Sequence, residues 1–319
     1  MTPPDLYGRP RPDRMYRLLE PVVAAHLWLS RRGVRGFRPP RPVDRDLPVR
    51  VVDRRAEADG VVSLRFAARR GALPPWRPGC HVDVVLPSGQ VRQYSLCGDP
   101  GEDTYRIAVR LVGAGSREVH TALGVGTDLV LRGPRTAFPL VGPGPFLFIA
   151  GGIGITPLLP MLRTTADWRL LYAGRSRATM PFLDELAQHG PRVRVIEGQP
   201  DVPALLAGVA PHTQVYACGP PPLVDAVRAA WPGPLHSERF SPPPLVDAEP
   251  FTVRLGRSGP VIPVSGTETA LTAVLRERPL RYSCRQGFCG TCRVGVLDSD
   301  VDSMLLCTDR PAGETTLDL

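Results

Sequence analysis

Runs of β-branched and aliphatic residues separated by glycine and proline turns dominate residues 49–140, with 61–66, 82–86, 105–111 and 128–131 each reading as a strand. That spacing predicts a small antiparallel barrel. From residue 145 to 240 the pattern changes to strand, glycine turn, helix. Residues 146–150, 170–174, 193–197 and 215–218 are of the type buried on both faces, which predicts a parallel α/β sheet. Ahead of both, residues 13–33 place Met15, Leu18, Leu19, Val22, His26 and Leu29 at helical spacing, with Asp13 able to cap the helix and Arg31 and Arg32 closing it before Gly33. Pro21 should kink or split it. Such a helix either packs on the protein's own body or docks on a partner or an anionic surface. Residues 35–48 look like a linker, and Ser241-Pro242-Pro243-Pro244 opens a stiff connector into a last unit. The expected divisions are an extension and linker (1–48), the barrel (49–142), the α/β unit (143–240), a connector (241–250) and a C-terminal unit (251–319), with no internal repeat.

Composition narrows the chemistry. The 319 residues include neither lysine nor asparagine, which excludes a lysine Schiff base, a P-loop lysine and an N-glycosylation sequon. The 38 prolines are scattered through apolar segments, so they read as compositional bias and not as disorder. The net charge of +8 is spread out: residues 1–47 carry +5 and residues 249–319 carry −1. No stripe suited to nucleic acid results. The longest apolar run near the N-terminus, 22–29, is too short to span a bilayer. Seven cysteines, four of them crowded near the C-terminus, suggest a metal site in a reducing compartment, and the cytoplasm is the expected location.

Those four are Cys284, Cys289, Cys292 and Cys307, and the first three have the C-x4-C-x2-C spacing of a plant-type 2Fe-2S ferredoxin. Four thiolates around two irons need a tight loop, which Gly287 and Gly290 suit. A zinc site is the competing reading, but its ligands usually come as two symmetric knuckles. With this cluster motif last in a three-unit chain, residues 49–319 resemble the phthalate dioxygenase reductase-like flavoproteins, which include vanillate demethylase reductases. The resemblance implies an antiparallel flavin-binding β-barrel, a parallel α/β nicotinamide-binding domain and a β-grasp ferredoxin domain, in that order. One departure stands out: only 14 residues separate Cys292 from Cys307, about half the family spacing. A hairpin going out over 293–297 and returning over 304–307 still delivers the fourth ligand.

Further motifs match the family. Arg92-Gln93-Tyr94-Ser95-Leu96 ends a barrel strand and matches the family's R-x-Y-S flavin motif. Arg92 is suited to clamp the flavin phosphate, Tyr94 to pack on the isoalloxazine, and Ser95 to hydrogen-bond near the hydride-accepting nitrogen. Gly113-Ala114-Gly115-Ser116 precedes a helical stretch, 117–123, and its free amides form an anion site where the family holds that phosphate. His120 reads as a packed histidine. The resemblance implies FMN, with FAD as the alternative. Gly151-Gly152-Ile153-Gly154-Ile155-Thr156-Pro157 follows a strand as in the family's G-G-x-G-x-T-P turn, where backbone can approach a pyrophosphate. Cys218-Gly219-Pro220 ends a later strand at the sheet edge where the family binds nicotinamide. Phe240, in Glu238-Arg239-Phe240, either covers the flavin ring or packs as interdomain core. Arg175 and Arg177 follow the second strand of the sheet, where an adenosine ribose would sit; the family mostly uses NADH, and arginine there also suits the 2′-phosphate of NADPH. Cys80 and Cys97 read as buried small hydrophobes.

A reduced nicotinamide gives up two electrons as hydride, whereas an oxygenase iron accepts them singly. The resemblance therefore implies an NADH-dependent reductase that passes electrons through FMN and the cluster to a partner oxygenase, either a Rieske or a haem-thiolate enzyme, without an acid or base side chain. The chain has no C-x-H followed by C-x-x-H, so it is not itself a Rieske oxygenase. Two rivals remain at this stage: a flavin-dependent NAD(P)H reductase whose shortened cluster loop is non-functional, and a zinc-stabilised binding protein.

Overall fold

In a computed structural model, the structure describes residues 19, 21–25, 46–136, 138–240, 248–282, 285, 287, 290–297 and 299–319. The chain divides into two units, 1–44 and 45–319. In the first, Leu19 and residues 21–25 are helical and exposed; the rest of the expected N-terminal helix, like the connector at 241–247, lies outside the described residues. Among the described residues no helix is long and apolar enough to cross a membrane.

Residues 45–319 hold three sheets. The first is antiparallel, with six strands in the order β4-β3-β6-β1-β2-β5: β1 (Asp46–Ala58), β2 (Val61–Ala68), β3 (Cys80–Val85), β4 (Val91–Ser95), β5 (Tyr105–Arg110) and β6 (Asp128–Thr136). It is a curled flavin-type sheet around Val49, Val51, Leu64, Phe66, Val82, Val84 and Ile107. β1 starts at Asp46, inside the stretch read as linker, because Leu47 and Val49 already pair with β6 and Asp46 meets Arg132 at 2.7 Å. Helix α1 (Ala114–Ala122) begins three residues earlier than the sequence pattern suggested, since Gly113 serves as its N-cap.

β7 (Phe146–Gly151), β8 (Trp168–Gly174), β9 (Val193–Glu197), β10 (Gln214–Cys218) and β11 (Leu235–Glu238) form the all-parallel second sheet, in the order β11-β10-β7-β8-β9. Both faces of β7 are covered: Phe146, Phe148 and Ala150 belong to one apolar cluster, Leu147 and Ile149 to the other. This explains its unbroken hydrophobic run. Strand order reverses between β7 and β10, which creates the crevice where α/β sheets bind ligands.

β12 (Phe251–Leu255), β13 (Val261–Val264), β14 (Arg293–Leu297), β15 (Ser303–Leu305) and β16 (Glu314–Leu317) make the third sheet, in the order β13-β12-β16-β14-β15. Its core is closed by the helix at Ala270–Glu277 through Ala270, Leu271, Ala273 and Val274. The expected hairpin after Cys292 is present: Arg293, Val294 and Gly295 pair antiparallel with Leu305, Met304 and Ser303.

Candidate functional site

The turns after β7 and β10 interlock at the switch point. A Cβ on Gly154 would strike the Cys218 carbonyl, and one on Gly151 would lie 2.6 Å from Pro220 Cδ. Gly219 is held equally tightly: a Cβ on it would lie 2.9 Å from Gly151 Cα. These glycines therefore let two backbone turns pack face to face, and this joins the G-G-I-G and C-G-P motifs into one wall. Gly152 differs. Its φ is +53°, and the atom nearest to its absent Cβ is the Arg110 guanidinium at 3.4 Å. A 3-10 turn (Gly152–Ile155) follows, before a short helix at Leu159–Thr164; Thr156 is buried and donates its hydroxyl proton to the Ile153 carbonyl at 2.9 Å, so it shapes the turn.

Cys218 is fully buried, and that burial holds its thiol protonated well above the usual range. Beside it in the sheet register is Glu238. Its Oε2 is sealed from water and has no hydrogen-bond partner among the described residues, and burial pushes the carboxyl up to about 8. Phe240 is 40% exposed, which speaks against the packed-core reading. Arg175 and Arg177 are both exposed beyond β8, and the Arg177 amide donates to the Glu197 carboxylate at 3.1 Å.

At the barrel, β4 carries Arg92, Tyr94 and Ser95, and Leu96 follows fully buried. Arg92 is exposed, turned by hydrogen bonds to Gln90 Oε1 (2.6 Å) and its neighbour's carbonyl, Val91 O (3.0 Å). Its stem crosses the start of α1 so closely that a Cβ on Gly115 would lie 2.5 Å from Arg92 Nε. The two segments that sequence analysis assigned to one phosphate thus meet, as a cation laid over the amide end of a nine-residue helix. A flavin phosphate fits this cradle. The Ser116 hydroxyl is already engaged, accepting from the Val112 and Gly113 amides at 2.8 and 2.9 Å. It fixes the turn's shape. Burial pushes Tyr94 up to about 12, which keeps its phenol neutral. His120 hydrogen-bonds the Val109 carbonyl at 2.9 Å as a packed side chain, and Cys80 and Cys97 are buried as expected.

In the third unit, the Cys292 and Cys307 sulfurs are 3.2 Å apart in the buried core without a disulfide, Cys292 donating to Cys307, and the Gly287 N–H also donates to Cys307 Sγ at 3.2 Å. The neighbouring Cys292 and burial both push the Cys307 thiol well up. Two such sulfurs with an amide aimed at one of them suit a group that brings positive iron to the thiolates. Cys284 and Cys289 lie outside the described residues.

Two charged features escaped the sequence pattern. Arg110, at the end of the barrel strand β5, reaches across to the Thr179 carbonyl (2.6 Å) and lies over Gly152, so a cation from one unit faces the glycine turn of the next. The second is a nearly buried ion pair in the barrel wall, Asp83 with Arg135 at 2.6 Å, beside His81. Burial, with the Arg135 charge, lowers His81 to about 4, so its imidazole is neutral.

A flavin-type sheet, a nicotinamide-type crevice and a cysteine-bearing ferredoxin lobe in one chain define a flavoprotein electron-transfer reductase. Residues 253–316 match the 2Fe-2S iron-sulfur cluster binding domain family. The chain is 38% identical over 285 residues to the phenoxybenzoate dioxygenase subunit beta of Ectopseudomonas oleovorans, covering 82% of this chain and 89% of that protein. Among solved structures it superposes with TM-score 0.69 and 30% identity on phthalate dioxygenase reductase, over 86% of this chain and 98% of that one. It also matches an intact type IV self-sufficient cytochrome P450 monooxygenase at TM-score 0.70 and 36% identity, over 86% of this chain and 41% of that longer chain. The chain belongs to the family of flavin- and NAD(H)-binding 2Fe-2S reductases related to the phthalate- and vanillate-type oxygenase reductase subunits. It is an electron-transfer reductase that delivers electrons from NAD(H), by way of flavin and a 2Fe-2S cluster, to a partner oxygenase.

Proposed function

We propose that the flavin is FMN, that the electron donor is NADH, and that the acceptor is a Rieske or haem-thiolate oxygenase in the cytoplasm. Bound flavin converts paired electrons to single ones, and the cluster delivers them one at a time. The chain's own residues bind and orient. Arg92 and the amide end at Gly115 hold the flavin phosphate, Ser116 keeps that turn in shape, Tyr94 packs on the ring, Ser95 hydrogen-bonds it, and Leu96, fully buried, supports the strand from the core. Gly151, Gly152, Gly154 and Thr156 shape the pyrophosphate turn under Arg110, while Cys218, Gly219 and Pro220 wall the nicotinamide. Phe240 covers the flavin until nicotinamide displaces it, and Arg175 meets the adenosine ribose. Cys284, Cys289, Cys292 and Cys307 hold the cluster. The flavin unit, extended by the start of β1, is 46–142, and the nicotinamide and ferredoxin units are 143–240 and 251–319.

The observation that carries this reading is the crossing of Arg92 over Gly115. FMN is supported by the family resemblance. NADH is supported by Glu197, whose carboxylate on the Arg177 amide places negative charge beside the two arginines and disfavours a 2′-phosphate. Mass analysis of the released flavin tests the first assignment, with FAD overturning it. Steady-state kinetics test the second: kcat/KM for NADPH equal to or above that for NADH would make Arg175 and Arg177 a phosphate clamp instead. Reconstitution with purified oxygenases of the two classes identifies the acceptor.

A further inference from the structure

The strand pair that bears the flavin motif has a second use. Side chains alternate along β4, so Gln93 and Ser95 share one face and Arg92 and Tyr94 the other. The β3–β4 register sets Asp83 opposite Gln93 and His81 opposite Ser95, and the β3–β6 register sets Arg135 opposite His81. Asp83, Arg135, His81 and Gln93 therefore stand on the face of the sheet that carries Ser95. Tyr282 of the ferredoxin unit meets the same group. Its hydroxyl reaches Asp83 Oδ2 at 3.5 Å, and its ring centroid is 5.7 Å from the Arg135 guanidinium carbon. Arg285 lies on the same ring at 4.4 Å. In sequence, Tyr282 and Arg285 bracket Cys284.

Asp83 is 1% exposed and its ion pair with Arg135 is close but poorly aligned for a hydrogen bond. Burying such a pair is a poor source of stability, since desolvation consumes most of the attraction. Its position gives it a different use. The carboxylate faces a phenol and the guanidinium faces an aromatic ring, and both belong to the segment that leads into the cluster motif.

We propose that Asp83, Arg135 and Tyr282 form the seat that fixes the ferredoxin unit on the Ser95 face of the flavin sheet, and so sets the separation across which electrons leave the flavin. They are positioning residues; none carries an electron or a proton. The inference rests on the reading of Arg92, Tyr94 and Ser95 as the flavin site. Electron transfer between carriers falls steeply with their separation, so a loosened seat slows it.

The test uses holoprotein variants Tyr282→Ala, Tyr282→Phe and Asp83→Asn under anaerobic rapid mixing with NADH, with flavin and cluster absorbance followed separately, and small-angle scattering on the same samples. Flavin reduction and ferricyanide reduction should stay at the starting rates. Cluster reduction should slow several-fold in Tyr282→Ala and in Asp83→Asn, with Tyr282→Phe between these and the starting protein because its ring still meets both arginines. The radius of gyration should rise in the order of the slowing. Unchanged cluster reduction and unchanged scattering in Asp83→Asn, a barrel residue remote in sequence from every cluster cysteine, would overturn the seat, and that variant decides the matter if Tyr282→Ala loses its iron. A starting protein whose cluster is never reduced by NADH would instead overturn the underlying flavin-to-cluster reading.

Discussion

The flavin sheet meets its two neighbours in different ways. Against the nicotinamide unit, Val61, Cys97, Ala108 and Phe138 join one apolar cluster with Phe146, Leu158, Met161 and Phe182. Across that seam Arg106, 8% exposed, donates to Glu185 at 3.0 Å and lies 4.9 Å above the Phe182 ring, and Glu185 also binds Arg163. Against the ferredoxin unit the described contacts are polar, through Tyr282, Asp83 and Arg135, and the ferredoxin core holds no barrel residue. The difference follows the chemistry. Hydride transfer needs two rings in fixed contact, which a shared core provides, whereas single electrons cross a gap and need only that the ferredoxin unit be held at one distance, which a small polar contact suffices to do.

The largest expected effect breaks the cluster itself. Cys307→Ser should abolish cluster content and cytochrome reduction while leaving NADH–ferricyanide activity intact, because both sheets upstream have their own cores; iron and sulfide analysis with the two assays checks this. Next, Glu185→Ala should destabilise the protein by about 2–4 kcal/mol, since it leaves Arg106 buried without its counter-charge. Tyr282→Ala should cost less than about 1 kcal/mol of global stability. Denaturant titration of the two variants tests whether the seam and the contact really differ. Gly115→Ala should weaken flavin binding by about 1.5–3 kcal/mol, as Arg92→Ala should, because the added methyl displaces the guanidinium from the phosphate; equilibrium dialysis of flavin measures both.

The pH responses of the two sides should have opposite sign. His81, on the ferredoxin-facing side, takes up a proton near 6.5 when unfolded and near 4 when folded. Between these values the unfolded chain binds the extra proton, so stability falls as pH drops. Glu238, in the nicotinamide unit, titrates near 4.5 unfolded and about 8 folded. There the native state holds the extra proton, so stability falls as pH rises through that window. His81→Gln should flatten the acid limb of a stability profile and Glu238→Gln the alkaline limb.

Much of this was legible in the sequence where the signal is local. The C-x4-C-x2-C spacing, the R-x-Y-S strand and the G-G-x-G-x-T-P turn each sit within a dozen residues, and the 14 residues between Cys292 and Cys307 admit the short hairpin that is found there. What escaped depends on partners distant in sequence. Arg110 looks like the last residue of an amphipathic strand until its reach to Thr179 is seen, 69 residues away. Asp83 and Tyr282 are separated by 199 residues, and no periodicity couples them. The sequence motifs present Gly151, Gly154 and Gly219 as sites of ligand approach, yet the packing of the two turns against each other gives them a structural reason as well.

Anaerobic rapid mixing of the holoprotein with NADH tests the electron route most directly. The account predicts that flavin absorbance falls first, that cluster absorbance follows in a second phase, and that the second phase disappears in Cys307→Ser while the first persists. Cluster bleaching that precedes flavin bleaching, or a flavin phase lost together with the cluster, would contradict it.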